Sequence, residues 1–297
     1  MAEDNITAMP EDNTTTGFSY AYTYGDIIIT AIPLFGVISN GLLLLAIFED
    51  PLKCFRNSAT YFVINLSVSD CLTCIFSPIY YIILIKLVAL GYDTFKLLVL
   101  LCECASLFSI ATIAIDRFLM IVYPIKHRIF MRGKIVITWI MIIWIVSCAV
   151  CVTTNFWNWI KDGKGIYTFC AFITLLSTVV YASTYYKLKK QSRNIAVRSS
   201  NETRAQRMRI LKEKQFLRTI IIIACIAVIC VLPSMMFFQT FALLDLNTSN
   251  FSTIIVTKIF LCIFCINFAV NPLIYVLRLP NYRKTFFLLY CKRWSTA

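Results

Sequence analysis

Charge is scarce in this chain, and histidine scarcer still. Only 14% of the 297 residues are charged and one is a histidine, while 59% are hydrophobic. With a mean hydropathy of +0.76, there is too little polar surface to enclose a water-soluble core. A single histidine, His127, in an expected cytoplasmic loop, allows no nucleophile, base and orienting group to be assembled, so enzymatic chemistry has no basis. No leader pattern of basic, apolar and small-residue segments precedes Tyr24, so the first apolar segment is expected to serve as its own insertion signal.

What the chain does have is seven long apolar segments: Tyr24–Phe48, Ala59–Lys86, Tyr92–Tyr123, Ile135–Phe156, Tyr167–Tyr186, Phe216–Leu244 and Ile254–Leu277. Each reaches about 20 residues or more, which at about 1.5 Å per residue crosses a hydrocarbon core of roughly 30 Å. The expectation is an all-α membrane protein. Residues 24–277 would form a seven-transmembrane helix bundle, 1–23 an extracellular tail, and 278–297 a short cytoplasmic amphipathic helix and tail.

All but five of the 28 Lys and Arg lie on one side, around the loops after spans one and three, the linker between spans five and six, and the tail after span seven. That bias assigns those segments to the cytoplasm. The first 26 residues carry five acids and no Lys or Arg, and they include the glycosylation acceptors Asn5-Ile6-Thr7 and Asn13-Thr14-Thr15. The N-terminus is therefore expected outside the plasma membrane and the C-terminus inside. The net charge of +13 then faces anionic lipid and cytoplasmic partners, and does not indicate nucleic acid.

Of the 13 cysteines, only Cys54 and Cys291 fall outside the spans, both on the cytoplasmic side, so no extracellular disulfide is expected. Cys71/Cys74, Cys148/Cys151 and Cys262/Cys265 have redox or zinc spacing, but mid-membrane and without histidine they read as small packing residues. The charged stretch from Lys187 to Lys214 reads as two helix ends joined by a flexible middle. Leu279 to Tyr290 mixes aromatics and leucines with basic residues, as a helix lying on a membrane surface does, and Cys291 beside it is a palmitoylation candidate.

Ionisable and amide side chains inside a membrane are costly unless partnered. Asp70 lies mid-way along span two, with Asn40, Ser106, Asn267 and Asn271 at comparable depth in spans one, three and seven. One carboxylate among hydroxyl and amide oxygens suits a small hard cation, and equally suits a hydrogen-bonded cluster without an ion. Asp116-Arg117-Phe118 ends span three at the cytoplasmic face, where Glu213 opens span six. An arginine between acids on two helices makes a latch that opens when the helices part, whereas an acid–arginine pair by itself is a common snorkelling anchor. In Asn271-Pro272-Leu273-Ile274-Tyr275 a proline interrupts span seven where an amide and a phenol can serve the freed backbone groups.

In order and spacing, these motifs resemble the rhodopsin-like family of G-protein-coupled receptors over almost the whole chain. The resemblance rests on Gly36 to Gly41 around Asn40, Asn65 to Asp70, Asp116-Arg117-Phe118 in place of Asp-Arg-Tyr, Pro124, Trp144 to Ser147, Tyr181, Pro233, and Asn271 to Tyr275. It implies a receptor that passes an extracellular ligand signal to a heterotrimeric G protein by outward movement of helix six. It further implies an allosteric sodium site at Asp70, Ser106, Asn267 and Asn271, with no other cofactor. Arg117 would engage the G protein, Asp116 and Glu213 would restrain it at rest, and Tyr181 and Tyr275 would swing inward on activation. Pro233 and Pro272 would be bending points.

The chain also departs from the family. Tyr92 stands at the place of the bridging cysteine, no proline occurs near Ile173, and helix six reads Cys230-Val231-Leu232-Pro233 instead of Cys-Trp-x-Pro, with Ala227 for the usual phenylalanine. Coupling is therefore expected to rely on bending at Pro233. The missing cysteine and proline and the short second loop are similar to the melanocortin, cannabinoid, lysophospholipid and adenosine receptor group. Val99 at the amine receptors' aspartate position, Cys265 at the retinal lysine and Phe238 at the adenosine receptors' asparagine argue against those ligands.

An upper ligand cavity would draw on Tyr80, Tyr81, Lys86, Tyr92, Asp93, Lys96, Val99, Glu103, Phe169, Phe238, Phe241 and Lys258. Glu103 is either a neutral hydrogen-bonded acid or a counter-charge for a cation, and Lys86, Lys96 and Lys258 either hold an anion or snorkel. Aromatics with mixed charge suit a peptide or an amphiphilic lipid. The alternative function is a transporter or ion-conducting bundle relaying charge through Asp70 and Glu103, for which no inverted repeat or pair of broken helices is visible.

Overall fold

A backbone in hydrocarbon must satisfy its own hydrogen bonds, so each apolar run closes into a helix. The computed structural model describes residues 13–55, 57–85, 92–131, 133–156, 164–197, 204–243 and 251–291. Its helices are α1 (Asn13–Glu49), α2 (Ser58–Ile85), α3 (Tyr92–Val122), α4 (Pro124–Phe130), α5 (Gly133–Phe156), α6 (Lys164–Val197), α7 (Arg204–Leu243), α8 (Phe251–Arg278) and α9 (Pro280–Phe286). A π-helical turn, Phe287–Cys291, continues α9. All but α4 and α9 contain a segment long and apolar enough to cross a membrane, and the described residues include no strand. The chain is a seven-helix, multi-pass membrane protein.

Two features differ from the sequence expectation. Helix α1 begins at Asn13, well ahead of Tyr24; α6 and α7, by contrast, run past their apolar spans into the basic linker as expected of the Lys187–Lys214 stretch. Lys, Arg, Gln and Glu extend a helix readily once it is nucleated. The segment after α3 that was expected to be a loop is the helix α4, opened by Pro124, whose missing N–H costs nothing at a first helical position. His127 therefore sits on a helix and not in a loop. Asn5 and Lys86 lie outside the described residues, as do the side chains of Asn13, Tyr81, Tyr92, Asp93, Glu213 and Phe241.

Helix α3 is central and packs on α2, α5, α6 and α7, while α1 closes the bundle against α2 and α8. The half of the core toward the start of α2 joins Phe62, Leu66, Ile113, Tyr181, Ile220 and Tyr275. Toward the opposite end of the bundle, Cys74, Cys104, Cys170, Val231, Phe264 and Phe268 form a second cluster, in which the thiols fill space between apolar neighbours. All 13 cysteines are free thiols.

Pro272 inside α8 releases a carbonyl that a neighbouring helix takes up. Pro272 withholds the N–H that the Phe268 carbonyl, four residues earlier, would accept; Asn40 Nδ2 of α1 donates to that carbonyl at 3.0 Å. Ser39 Oγ donates to the next carbonyl, Ala269, at 3.0 Å. Beside Pro233, Ser234 Oγ bonds Cys230 O at 2.7 Å in its own helix and Phe260 O at 3.1 Å in α8. These cross-helix bonds hold α1 and α7 to α8.

Such close approach needs Gly36 at the α1–α2–α8 junction. A Cβ there would run into Cys74 Sγ and would also meet Ala269 at 3.4 Å. Gly36→Ala is expected to destabilise the bundle by about 1–3 kcal/mol through overpacking. Thermal unfolding in lipid nanodiscs measures this, and adding Cys74→Ala should recover most of the loss; no recovery would place the strain elsewhere.

Candidate functional site

Asp70 is fully buried in α2 and reaches both neighbouring helices. Ser106 Oγ of α3 donates to its Oδ1 at 2.5 Å, and Asn271 Nδ2 of α8 donates to its Oδ2 at 2.8 Å. Asn267 lies one turn before Asn271 in α8, fully buried, with neither its oxygen nor its nitrogen bonded within the described residues; Asn271 Oδ1 is likewise unpaired. Unserved buried oxygens beside a carboxylate are what a hard cation would use. The donor set Asp70, Ser106, Asn267 and Asn271 thus fits sodium.

About one turn earlier in α2, Asn65 links three helices. Trp144 Nε1 of α5 donates to Asn65 Oδ1 at 2.9 Å, Asn65 Nδ2 donates to Ser109 Oγ of α3 at 2.8 Å, and Ser109 in turn donates to Ala105 O at 2.6 Å.

Near the C-terminal end of α3 the fully buried Asp116 carboxylate is surrounded by donors. Oδ2 accepts from Arg117 Nε at 2.8 Å and also pairs with its terminal nitrogen. Oδ1 accepts from Ser58 Oγ of α2 at 2.9 Å and meets His127 Nε2 of α4 at 2.8 Å. The Arg117 guanidinium lies over the Phe216 ring of α7, 4.9 Å from its centre. Tyr181 donates to the Ile110 carbonyl at 2.6 Å, and Tyr275 stacks on Tyr282 of α9 with centroids 5.6 Å apart, its hydroxyl unbonded among the described residues. Arg117, His127, Ser58, Gln215, Phe216 and Tyr282 line a cavity of about 650 Å³.

The outer residues are more dispersed. Glu103 is 7% exposed and its Oε1 has no partner among the described residues. Lys258 is buried against α1, where its Nζ meets Asp26 Oδ1 at 2.6 Å, while Lys96 is exposed and Val99 half-buried. Phe169 packs edge-on against Phe108, and Phe238 against Phe237. Tyr80 is half-buried in α2.

A profile of the family described as 7 transmembrane receptor (rhodopsin family) matches residues 39–174, which include Asp70, Ser106, Asp116 and Arg117. Curated relatives align over most of the chain. A putative neuropeptide Y receptor 11 of Caenorhabditis elegans is 26% identical, covering 92% of this chain and 75% of the relative. The neuropeptide F receptor of Drosophila melanogaster is 26% identical over 91% of this chain, which spans only 61% of that receptor's length. Sphingosine 1-phosphate receptor 1 of Danio rerio is 25% identical, with 85% and 74% covered. Over residues 39–174 the chain is similar to the rhodopsin family of seven-transmembrane receptors. It is a receptor and not an enzyme.

Sequence reading of the receptor missed Ser58 and His127 as partners of Asp116, and Asp26 as the partner of Lys258. Pro124 offered the signal for His127: a proline three residues earlier opens a helix that brings His127 back over α3. In the receptor, Asn65→Ala should cost about 1–3 kcal/mol, because the Trp144 indole and the Ser109 hydroxyl lose their bonds together. Thermal unfolding of purified protein checks this; an unchanged midpoint would make the three-helix link dispensable.

Proposed function

We propose that this receptor carries an extracellular ligand signal to a heterotrimeric G protein by outward movement of α7. The observation behind this reading is the Asp116–Arg117 pair at a cytoplasmic cavity partly walled by Gln215 and Phe216 of α7. Gln215 Nε2 donates to the Arg278 carbonyl at 2.7 Å, tying α7 to the end of α8. Moving α7 outward breaks that tie, uncovers Arg117 and widens the cavity for a partner helix. Glu213, two residues before Gln215 on α7, is proposed as the second acid restraining Arg117.

The ligand is proposed to be a peptide or an amphiphilic lipid, in keeping with the relatives named for neuropeptides and for sphingosine 1-phosphate. Its contacts are proposed at Tyr80, Asp93, Lys96, Val99, Glu103, Phe169, Phe238, Phe241 and Lys258. The plasma membrane is the proposed location, with glycans on Asn5 and Asn13 outside and an acyl chain on Cys291 inside. Sodium at Asp70 would add a positive charge that the resting packing accommodates, favouring that state only by its differential affinity.

The deciding experiment reconstitutes the receptor in nanodiscs with heterotrimeric G proteins and measures nucleotide exchange, with substrate or ion flux in liposomes as the counter-test. Charge-assisted contacts are worth about 1.5–3 kcal/mol before the groups are re-solvated. Asp116→Asn or Glu213→Ala should therefore raise basal exchange several-fold at equal receptor amount, and Arg117→Ala should abolish it. Flux without exchange would favour a transporter instead. Raising sodium should lower basal exchange in wild type and leave Asp70→Asn unaffected; equal responses in both would remove the cation from the mechanism.

A further inference from the structure

We propose that His127 is a positioning residue for Asp116, docking α4 onto α3 and making release of Arg117 sensitive to cytosolic pH. The inference rests on the G-protein reading above. Its basis is the geometry of one carboxylate. Arg117 occupies Oδ2, whereas Oδ1 takes Ser58 from α2 and His127 from α4, so Asp116 ties three helices to the arginine.

An ionised carboxylate only accepts hydrogen bonds, so His127 Nε2 must carry a hydrogen and donate it. Nδ1 is then the ring nitrogen without a hydrogen in the neutral ring. Histidine is the side chain whose ordinary titration spans about pH 5 to 8. His127 is also the one histidine in the chain, and its side chain is 11% exposed.

Other ionisable groups surround it. On α3 stand Asp116 and Arg117 themselves. Cys54, Tyr61 and Tyr282 line the same cavity. Burial, and then the Asp50 carboxylate, push the Cys54 thiol up, and burial pushes the Tyr282 phenol up, so both stay neutral. Lys126 on α4 lies over the Tyr123 ring, and Lys187 on α6 over the Phe118 ring at 4.4 Å. Lys134 at the start of α5 is exposed, and α7 presents the uncharged Gln215 and Phe216 to the cavity.

The sign follows from Coulomb repulsion. Protonated His127 places a second cation on the carboxylate that already holds Arg117. The two cations repel each other only while Arg117 remains on Asp116, so protonation disfavours the resting arrangement and is itself favoured once Arg117 leaves. Lower cytosolic pH therefore loosens the latch. Neutral His127 keeps the docking bond without that repulsion.

Two measurements test this on the full-length receptor in nanodiscs. Because the chain has one histidine, nitrogen-15 histidine labelling reports His127 alone, with no need of ligand or G protein. At pH 8 the spectrum should show a single Nε2–H tautomer. A mixture like that of free imidazole, or the Nδ1–H form, would overturn the contact.

The second measurement is nucleotide exchange on purified heterotrimer between pH 8 and pH 6, in wild type and in the raised-basal Glu213→Ala background, with the G protein's own rate subtracted. Receptor-dependent exchange should rise about threefold to tenfold as the pH falls. His127→Tyr, which keeps a donor for Asp116 but takes no proton, should hold the pH 8 rate throughout. A wild-type slope that persists in His127→Tyr, or a flat wild-type profile, would overturn the pH role. Absence of exchange in both backgrounds at every pH would overturn the G-protein reading instead, and the tautomer would still decide whether His127 positions Asp116.

Discussion

Polar groups placed in hydrocarbon must find partners within the protein, and the arrangement of these helices follows from that constraint. Pro272 shows it most directly. By removing one donor from α8 it leaves the Phe268 carbonyl unserved, and Asn40 on α1 serves it. The bond forms only if α1 and α8 lie close, which in turn requires a residue without a side chain at Gly36. Proline, asparagine and glycine, separated by more than two hundred residues, therefore act as one device.

The same constraint divides the interior into satisfied and unsatisfied parts. Asp116 has its acceptors filled by three residues, and Asn65 has both ends of its amide engaged. Asn267, the Asn271 oxygen, the Tyr275 hydroxyl and Glu103 Oε1 lack protein partners among the described residues. Leaving such groups unpaired costs about 1–3 kcal/mol each. A core with filled bonds at one end and open ones along α8 is poised for bound cations or water, and for rearrangement of the tyrosine. In the proposed activation, filled bonds around Arg117 would oppose that change until a partner replaced them.

Much of this was legible in the sequence, for identifiable reasons. Hydropathy set the spans, and the depth of Asp70, Ser106 and Asn271 along them was enough to expect that these side chains meet, since helix rise fixes depth. Rotation and loop path are not fixed in this way. Asp116 was recognised as a partner of Arg117 from adjacency, but Ser58 and His127 arrive through the entry angle of α2 and the turn at Pro124, both tertiary outcomes. Lys258 looked like a group at a cavity mouth because its partner Asp26 lies at the far end of the chain, in a segment that sequence alone placed at the margin of span one. The extra helical turns of α1 were hidden because hydropathy reports where lipid lies and not where a helix begins, whereas the charged ends of α6 and α7 were legible from their helix-favouring Lys, Arg, Gln and Glu.

The departures at Ala227 and Val231 bear on how α7 would move. A large ring in this region would hold α7 off α3 and α6 and supply a side chain that toggles. Here Ala227, Ala224, Leu107, Ile110 and Thr174 enclose a gap of only about 10 Å³, around the smallest volume that admits one water. The helices have closed over the space, leaving no bulky group to switch. Val231 is buried in the apolar cluster with Phe264 and Phe268. Ser234 beside Pro233 instead ties α7 to the Phe260 carbonyl of α8, and the Phe237 and Phe260 rings stack at 4.4 Å just outside it. A ligand pressing on that aromatic pair would load the α7–α8 joint at the point where proline has already weakened the helix, so the movement proposed for α7 would fall to backbone bending there and not to a rotamer change.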